Sequence, residues 1–184
     1  MNIMRARINA LSLFLAYALA AVPFIADNVR EAVSIIGSTE LPACDLCNMD
    51  LESMSPEIME ALGANNLIKK LDLSSNKLKE LPSEIGTLDW LVELNLSNNE
   101  VESIPQEVNS MKSLEVLNLS NNKLTSFPWH VLKLRNTGAL KSLDLRGNPL
   151  YRIYHSALGR FFLRLFYGDV VITGYSTEAA QISN

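Results

Sequence analysis

The chain repeats one motif four times, and this repetition constrains its fold more than any other feature. The copies begin at residues 68, 91, 114 and 140 and read IKKLDLSSNKL, LVELNLSNNEV, LEVLNLSNNKL and LKSLDLRGNPL. Asn76, Asn99 and Asn122 follow one another at 23 residues, and Asn148 follows 26 residues later. A motif at a regular period of this length predicts stacked units that share one continuous core.

The first half of each copy predicts a short strand. Alternate side chains of a strand point to opposite faces of a sheet. In the first copy, Leu71 and Leu73 therefore point inward. Lys70 and Asp72 point outward, where they meet solvent or a partner.

The asparagine of each copy predicts a structural role. Where the chain turns out of a strand, backbone groups lose their partners inside the sheet, and buried groups of this kind need new ones. An asparagine side chain offers one acceptor and two donor hydrogens. We therefore expect a structural ladder that consists of Asn76, Asn99, Asn122 and Asn148.

The second half of each copy predicts a returning segment behind the strands. An apolar residue and a proline recur in it, as Leu81-Pro82, Ile104-Pro105 and Phe127-Pro128. Proline cannot continue a sheet ladder, and the apolar spacing after it fits about one helical turn. The three additional residues before the last copy fall in 135–139, where Asn136 and Gly138 predict a bulged surface loop.

With its L-x-x-L-x-L-x-x-N-x-L copies and L-P-x-x-I-x-x-L second halves, the chain resembles a class of leucine-rich repeat proteins. That class includes intracellular Ras-suppressor and Ras-scaffold-type proteins. The resemblance implies an α/β fold, a curved right-handed leucine-rich repeat solenoid with a concave parallel β-sheet and helical end caps. It also implies a non-enzymatic protein-protein interaction module, a scaffold or adaptor that binds on the concave face, although the motif leaves the partner open.

The outward positions of the predicted strands are the candidate partner-binding residues. They are Lys70, Asp72, Glu93, Asn95, Val116, Asn118, Ser142, Asp144 and Arg146.

The middle of this set of residues is polar and mildly acidic, and the cationic residues Lys70 and Arg146 flank it. We expect a protein partner with a complementary basic or hydrogen-bonding patch.

Other functions find little support in the sequence. The chain has 184 residues and a formal charge of −4, which fits one domain and offers no basic field for nucleic acid. It contains no phosphate-binding loop, zinc-protease motif or nucleophile elbow, so we expect no catalytic residues and no cofactor. Cys44 and Cys47 lack a second pair to complete a zinc site, so we expect no metal.

The sequence on either side of the four copies has weaker patterns, which predict the remaining segments. Residues 44–62 align with 71–88 as a degenerate first repeat, in which Cys44 is a core residue and Met49 replaces the ladder asparagine. We predict a lead-in helix at 27–43, the array at 44–158, and a C-terminal cap and tail at 159–184. Apolar residues at helical spacing in 153–166 fit a capping helix or a helix on a membrane surface.

Residues 1–26 admit two interpretations. Arg5 and Arg7 precede an uncharged run at 8–26, as in a signal peptide or a membrane anchor. The same run fits a capping helix over the open end of the array. Extracellular repeat domains usually have disulfide-bonded caps, and this chain has only two cysteines. We expect a cytoplasmic protein, with a membrane-anchored or secreted recognition protein as the alternative.

Overall fold

The computed structural model describes residues 27–137, 140–149 and 171–173. The signal, anchor or cap predicted at 1–26 and the helix predicted at 153–166 lie outside these residues. Within the described ranges, no helix is both long enough and apolar enough to span a bilayer.

Short parallel strands recur once per repeat and form a single sheet. They are β1 (Ala43–Asp45), β2 (Lys70–Asp72), β3 (Glu93–Asn95), β4 (Val116–Asn118), β5 (Ser142–Asp144) and β6 (Val171–Thr173). Each strand pairs in parallel with the next one along the chain. The predicted α/β solenoid with a parallel sheet is confirmed.

The returning segments are helical. Helix α1 (Asp27–Ser38) precedes β1, and helix α2 (Pro56–Ala64) lies between β1 and β2. The later repeats have 3₁₀ helices instead, at Ser83–Thr87, Gln106–Ser110 and Trp129–Thr137. The first two of these follow a proline with an extended backbone, as the L-P pattern predicted. The α-helix in the first repeat begins at Pro56, and Ser55 caps it by accepting a hydrogen bond from the Ile58 amide.

The bulged loop predicted at 135–139 is wrong in its first part. The 3₁₀ helix continues through Thr137, whereas its two predecessors have five residues each. A turn of 3₁₀ helix holds about three residues, so it can absorb the three-residue insertion without leaving the helix. Residues 138 and 139 lie outside the described ranges.

The core is a stack of aliphatic columns, one residue per coil. The strand register places Leu71 beside Leu94, Leu94 beside Leu117, and Leu117 beside Leu143. All four side chains are buried. Such columns remove apolar area from water at about 25 cal/mol per Å², which is the main favourable contribution to folding.

The first repeat joins this core through a cysteine. Cys44 pairs with Leu71 across β1 and β2, and its side chain is buried. Burial raises the pKa of the Cys44 thiol. Cys47 is exposed, and both cysteines are free. The prediction that Cys44 is a core residue is confirmed.

The two ends of the sheet contain features that the repeat motif does not specify. Helix α1 buries Ala32, Val33 and Ile36 against the first repeat, and the Asn65 side chain donates hydrogen bonds to the carbonyls of Ile36 (2.9 Å) and Thr39 (3.0 Å). At the other end, β6 pairs with β5, so the sheet extends beyond the expected array boundary at residue 158.

Candidate functional site

From the second repeat on, an asparagine ties each described repeat to the one before it, and the first three of these asparagines are buried. The Asn99 Nδ2 atom donates to the carbonyl oxygens of Leu73, Leu96 and Ser97, at 2.9, 3.1 and 3.3 Å. Its Oδ1 atom accepts from the Leu78 amide at 3.0 Å. Matching sets of bonds occur at Asn76, Asn122 and Asn148. These bonds satisfy backbone groups of two successive coils at once.

The first repeat has Met49 at the ladder position. Its backbone amide donates to the Asn76 Oδ1 atom at 3.0 Å, so the position still receives a bond from the second repeat. An asparagine at this position would itself need a preceding coil as partner. The described element that precedes β1 is helix α1, which is not a coil of this kind. The partly buried Met49 side chain packs against the core instead.

The residue before each ladder position has a left-handed backbone. The φ angles are 55° at Asn48, 57° at Ser75, 55° at Asn98, 54° at Asn121 and 71° at Gly147. Asparagine and glycine tolerate this conformation better than other residues. The turn out of each strand therefore places the ladder side chain between two coils, and serine at the second turn is the least favourable choice of the five.

A second polar column lies at the end of each strand, and the sequence interpretation missed its role. Its members accept a hydrogen bond from the backbone amide two residues further on, at 2.8–3.1 Å. They are Asp45, Asp72, Asn95, Asn118 and Asp144. This is the Asx turn, in which a short polar side chain replaces a backbone acceptor. The sequence signal for these turns was an aspartate or asparagine at the same position of each of these five repeats.

The Asx turns change the interpretation of four predicted partner-binding residues. Asp72, Asn95, Asn118 and Asp144 each use one side-chain oxygen to hold the end of a strand. Asp72 also accepts from the Asn95 Nδ2 atom at 3.0 Å. In the first repeat, the amide of Cys47 lowers the pKa of Asp45. These side chains are therefore fixed in position before any partner arrives.

The predicted acidic middle and its flanking cations are joined in ion pairs. Lys70 Nζ lies 2.7 Å from Glu93 Oε2 across β2 and β3. Arg146 contacts the carboxylate of Asp144 through Nε and Nη2. A third pair, which the sequence interpretation missed, joins Lys141 to Glu115 at 2.7 Å. Exposed pairs add little stability, but they leave this surface close to electrically neutral.

Two further ion pairs join the coils just beyond the asparagine ladder. Lys77 lies 2.6 Å from Asp50, and Lys123 lies 2.9 Å from Glu100. Asp50 raises the pKa of Lys77, and Lys123 lowers the pKa of Glu100. These pairs favour the observed register of neighbouring coils, because a slip of one residue would separate the opposite charges.

An apolar pair occupies the middle of the outward surface. Val116 pairs with Glu93 on one side and Ser142 on the other, and its amide donates to the Val92 carbonyl at 3.1 Å. Both valines are half-buried. The sequence interpretation included Val116 but missed Val92, because Val92 precedes the strand. We call Val92 and Val116 the apolar centre.

The outward surface around this pair is called the sheet face. Its residues are Lys70, Asp72, Val92, Glu93, Asn95, Glu115, Val116, Asn118, Lys141, Ser142, Asp144 and Arg146.

An open depression of about 260 Å³ lies at the N-terminal end of the sheet face, between Asp45, Asp72 and Glu93. In the described part of the chain, no group of three or more histidine, cysteine, aspartate and glutamate side chains could hold a metal ion.

Comparisons with known proteins agree with this architecture. The family model for the leucine rich repeat matches residues 66–124 and 89–150. A leucine-rich repeat protein from Leptospira interrogans is similar in structure, with 32% sequence identity and a TM-score of 0.52. The match covers 65% of this chain and 28% of that protein.

An internalin from Listeria monocytogenes also matches, at 25% identity and a TM-score of 0.40. That match covers 48% of this chain and 24% of the internalin. This chain therefore matches about a quarter of the length of each of these proteins. No curated protein sequence matches it.

Proposed function

This chain is a leucine-rich repeat protein, and from that premise we propose that it is an adaptor or scaffold that binds another protein on its sheet face. Leucine-rich repeats generally mediate protein-protein interaction, and domains of this family are typically binding modules rather than enzymes.

The observation that carries the proposal is the apolar centre within a polar surround. Val92 and Val116 are half-buried on an outward surface, and the ion pairs Lys70–Glu93 and Glu115–Lys141 lie beside them. Binding energy at protein interfaces concentrates in central apolar residues that become dry, while the rim contributes specificity. The arrangement favours a partner with an apolar contact residue and hydrogen-bonding neighbours over a strongly basic partner.

The rigidity of the sheet face also supports the proposal. The Asx turns hold the strand ends, and the asparagine ladder holds one coil against the next. Binding to a surface that is already ordered costs little conformational entropy. Asn118 contributes to this order through its Oδ1 atom, while its Nδ2 atom makes no hydrogen bond to the described residues and can donate to a partner.

A charge placed in the apolar centre tests this proposal. We expect Val116→Glu to lower the amount of captured partner at least tenfold, because about 1.4 kcal/mol of lost binding free energy has that effect. The measurement is quantitative affinity capture from cell extract followed by mass spectrometry. Thr125→Glu, an exposed position on a returning segment, is the matched control and is expected to capture the same proteins as the unmodified chain.

Thermal unfolding of both variants accompanies the capture experiment. Because Val116 and Thr125 both have access to solvent, both variants should remain folded. Equal capture by Val116→Glu and the unmodified chain would place the binding surface elsewhere.

A further inference from the structure

A cleft opens on the side of the array opposite the sheet. It lies between helix α2 and the 3₁₀ helix at Ser83–Thr87, and its volume is about 500 Å³. An α-helix is wider than a 3₁₀ helix and rises less per residue. The surfaces of the two helices therefore do not fit closely together, and a gap remains between them. The next two coils both have 3₁₀ helices, and there Gly86 lies directly against the backbone of Glu107.

The cleft has an apolar floor and an acidic rim. Met54 and Met59 are buried beneath it, and Pro56 and Pro82 also line it. The exposed carboxylates of Glu60 and Glu84 stand on its two sides, one on each helix. Methionine is flexible and polarisable, so a floor of this kind adapts to the shape of an incoming apolar side chain.

The surface around the cleft is strongly acidic. The returning segments of the first three repeats, residues 52–66, 79–90 and 102–113, contain eight carboxylates and two lysines, a net charge of −6. The whole chain has a net charge of −4. On the sheet face, by contrast, Glu93, Glu115 and Asp144 are each paired with a cation. Within the described ranges Glu60 and Glu84 form no ion pair.

We propose that this cleft is a second binding site, which takes a basic amphipathic segment of another protein. An apolar side chain of that segment lies between Met54 and Met59, and lysine or arginine side chains reach Glu60 and Glu84. An apolar helix face in a groove with complementary charge at the rim is a common mode of peptide recognition. The cleft and the sheet face lie on opposite sides of the coils, so the chain can hold two proteins at once.

The test uses a fluorescently labelled 18-residue amphipathic peptide of leucine and lysine, with a leucine and glutamate peptide of the same pattern for comparison. Fluorescence anisotropy should show binding of the lysine peptide and none of the glutamate peptide. The double variant Glu60→Gln, Glu84→Gln should weaken binding of the lysine peptide at least tenfold. The matched double variant Glu31→Gln, Glu40→Gln removes the same charge from exposed positions outside the acidic returning segments and should change affinity less than twofold.

A second variant tests whether the lysine peptide binds within the cleft. Thr87 is exposed at the edge of the cleft, and its hydroxyl donates a hydrogen bond to the Glu84 carbonyl at 2.7 Å. Thr87→Lys introduces a cation that repels the lysine peptide, and thermal unfolding checks that the loss of this exposed hydrogen bond leaves the chain folded. We expect this variant to weaken binding as strongly as the cleft double variant. Val116→Glu should leave peptide binding unchanged, so the result is independent of the function proposed for the sheet face. Equal weakening by both double variants, or no binding of the lysine peptide, would overturn the proposal.

Discussion

Replacement of Asn99 by alanine is expected to destabilise the fold by about 2–3 kcal/mol, since a buried polar group without its partner costs about 1–3 kcal/mol. The substitution leaves the Leu78 amide without its acceptor. It also removes one donor from each of the carbonyls of Leu73 and Leu96, which keep hydrogen bonds from Asn76 and Asn122. Water cannot replace that side chain easily, because Asn99 is buried. The loss therefore affects two neighbouring coils at once.

Urea unfolding followed by circular dichroism measures this effect. Asn66→Ala is the matched control, because Asn66 is exposed and the same atoms are removed. We expect the free energy of unfolding of the control to change by less than about 0.5 kcal/mol. A cost below about 1 kcal/mol for Asn99→Ala, the net value of a single ordinary hydrogen bond, would show that the ladder does not hold the coils together.

Replacement of Gly86 by alanine is expected to destabilise the fold by about 1–3 kcal/mol, the usual cost of an overpacked contact. A Cβ atom at this position would collide with the carbonyl oxygen of Glu107 in the next coil. The obstacle is backbone rather than a flexible side-chain end, so two returning segments must move apart. Their separation also disturbs the buried side chains of Ile85 and Val108 beneath them.

Gly63→Ala is the matched substitution for this prediction. Gly63 belongs to helix α2, and no atom would lie within 4 Å of an added Cβ. Alanine favours a helix over glycine by roughly 0.5–1 kcal/mol, so this variant should be neutral or more stable. Of the two substitutions, only Gly86→Ala should thus lower the melting temperature. A destabilisation shared equally by both would refute the close packing of neighbouring coils at Gly86.

The sequence predicted the parts of the fold that a period alone determines. The spacing of leucines placed Leu71, Leu94 and Leu117 in one inward column, and alignment of the weak first repeat placed Cys44 in the same column. The type of residue at one position of the repeat specifies this column, because every coil must present an apolar side chain to its neighbours at that position. The last strand, β6, has no such motif, and the pattern did not reveal it.

The binding surface was harder to predict because its chemistry depends on contacts between coils. The pairing of Lys70 with Glu93 joins residues of separate copies and follows from the strand register. The Asx turns required turn chemistry that the leucine period does not express, so Asp72 and Asn118 were predicted only as partner contacts. The cleft arises where an α-helix meets a 3₁₀ helix, and that mismatch of geometry has no signature in either segment.

Site-specific photo-crosslinking tests the central claim, that the sheet face is the surface that binds a protein partner, most directly. Benzoylphenylalanine is introduced in place of Val116 in one variant and in place of Thr125 in another, and both are irradiated in cell extract. We predict a discrete crosslinked protein from the Val116 position and none from the Thr125 position. The same product from both positions, or a product from Thr125 alone, would contradict the account.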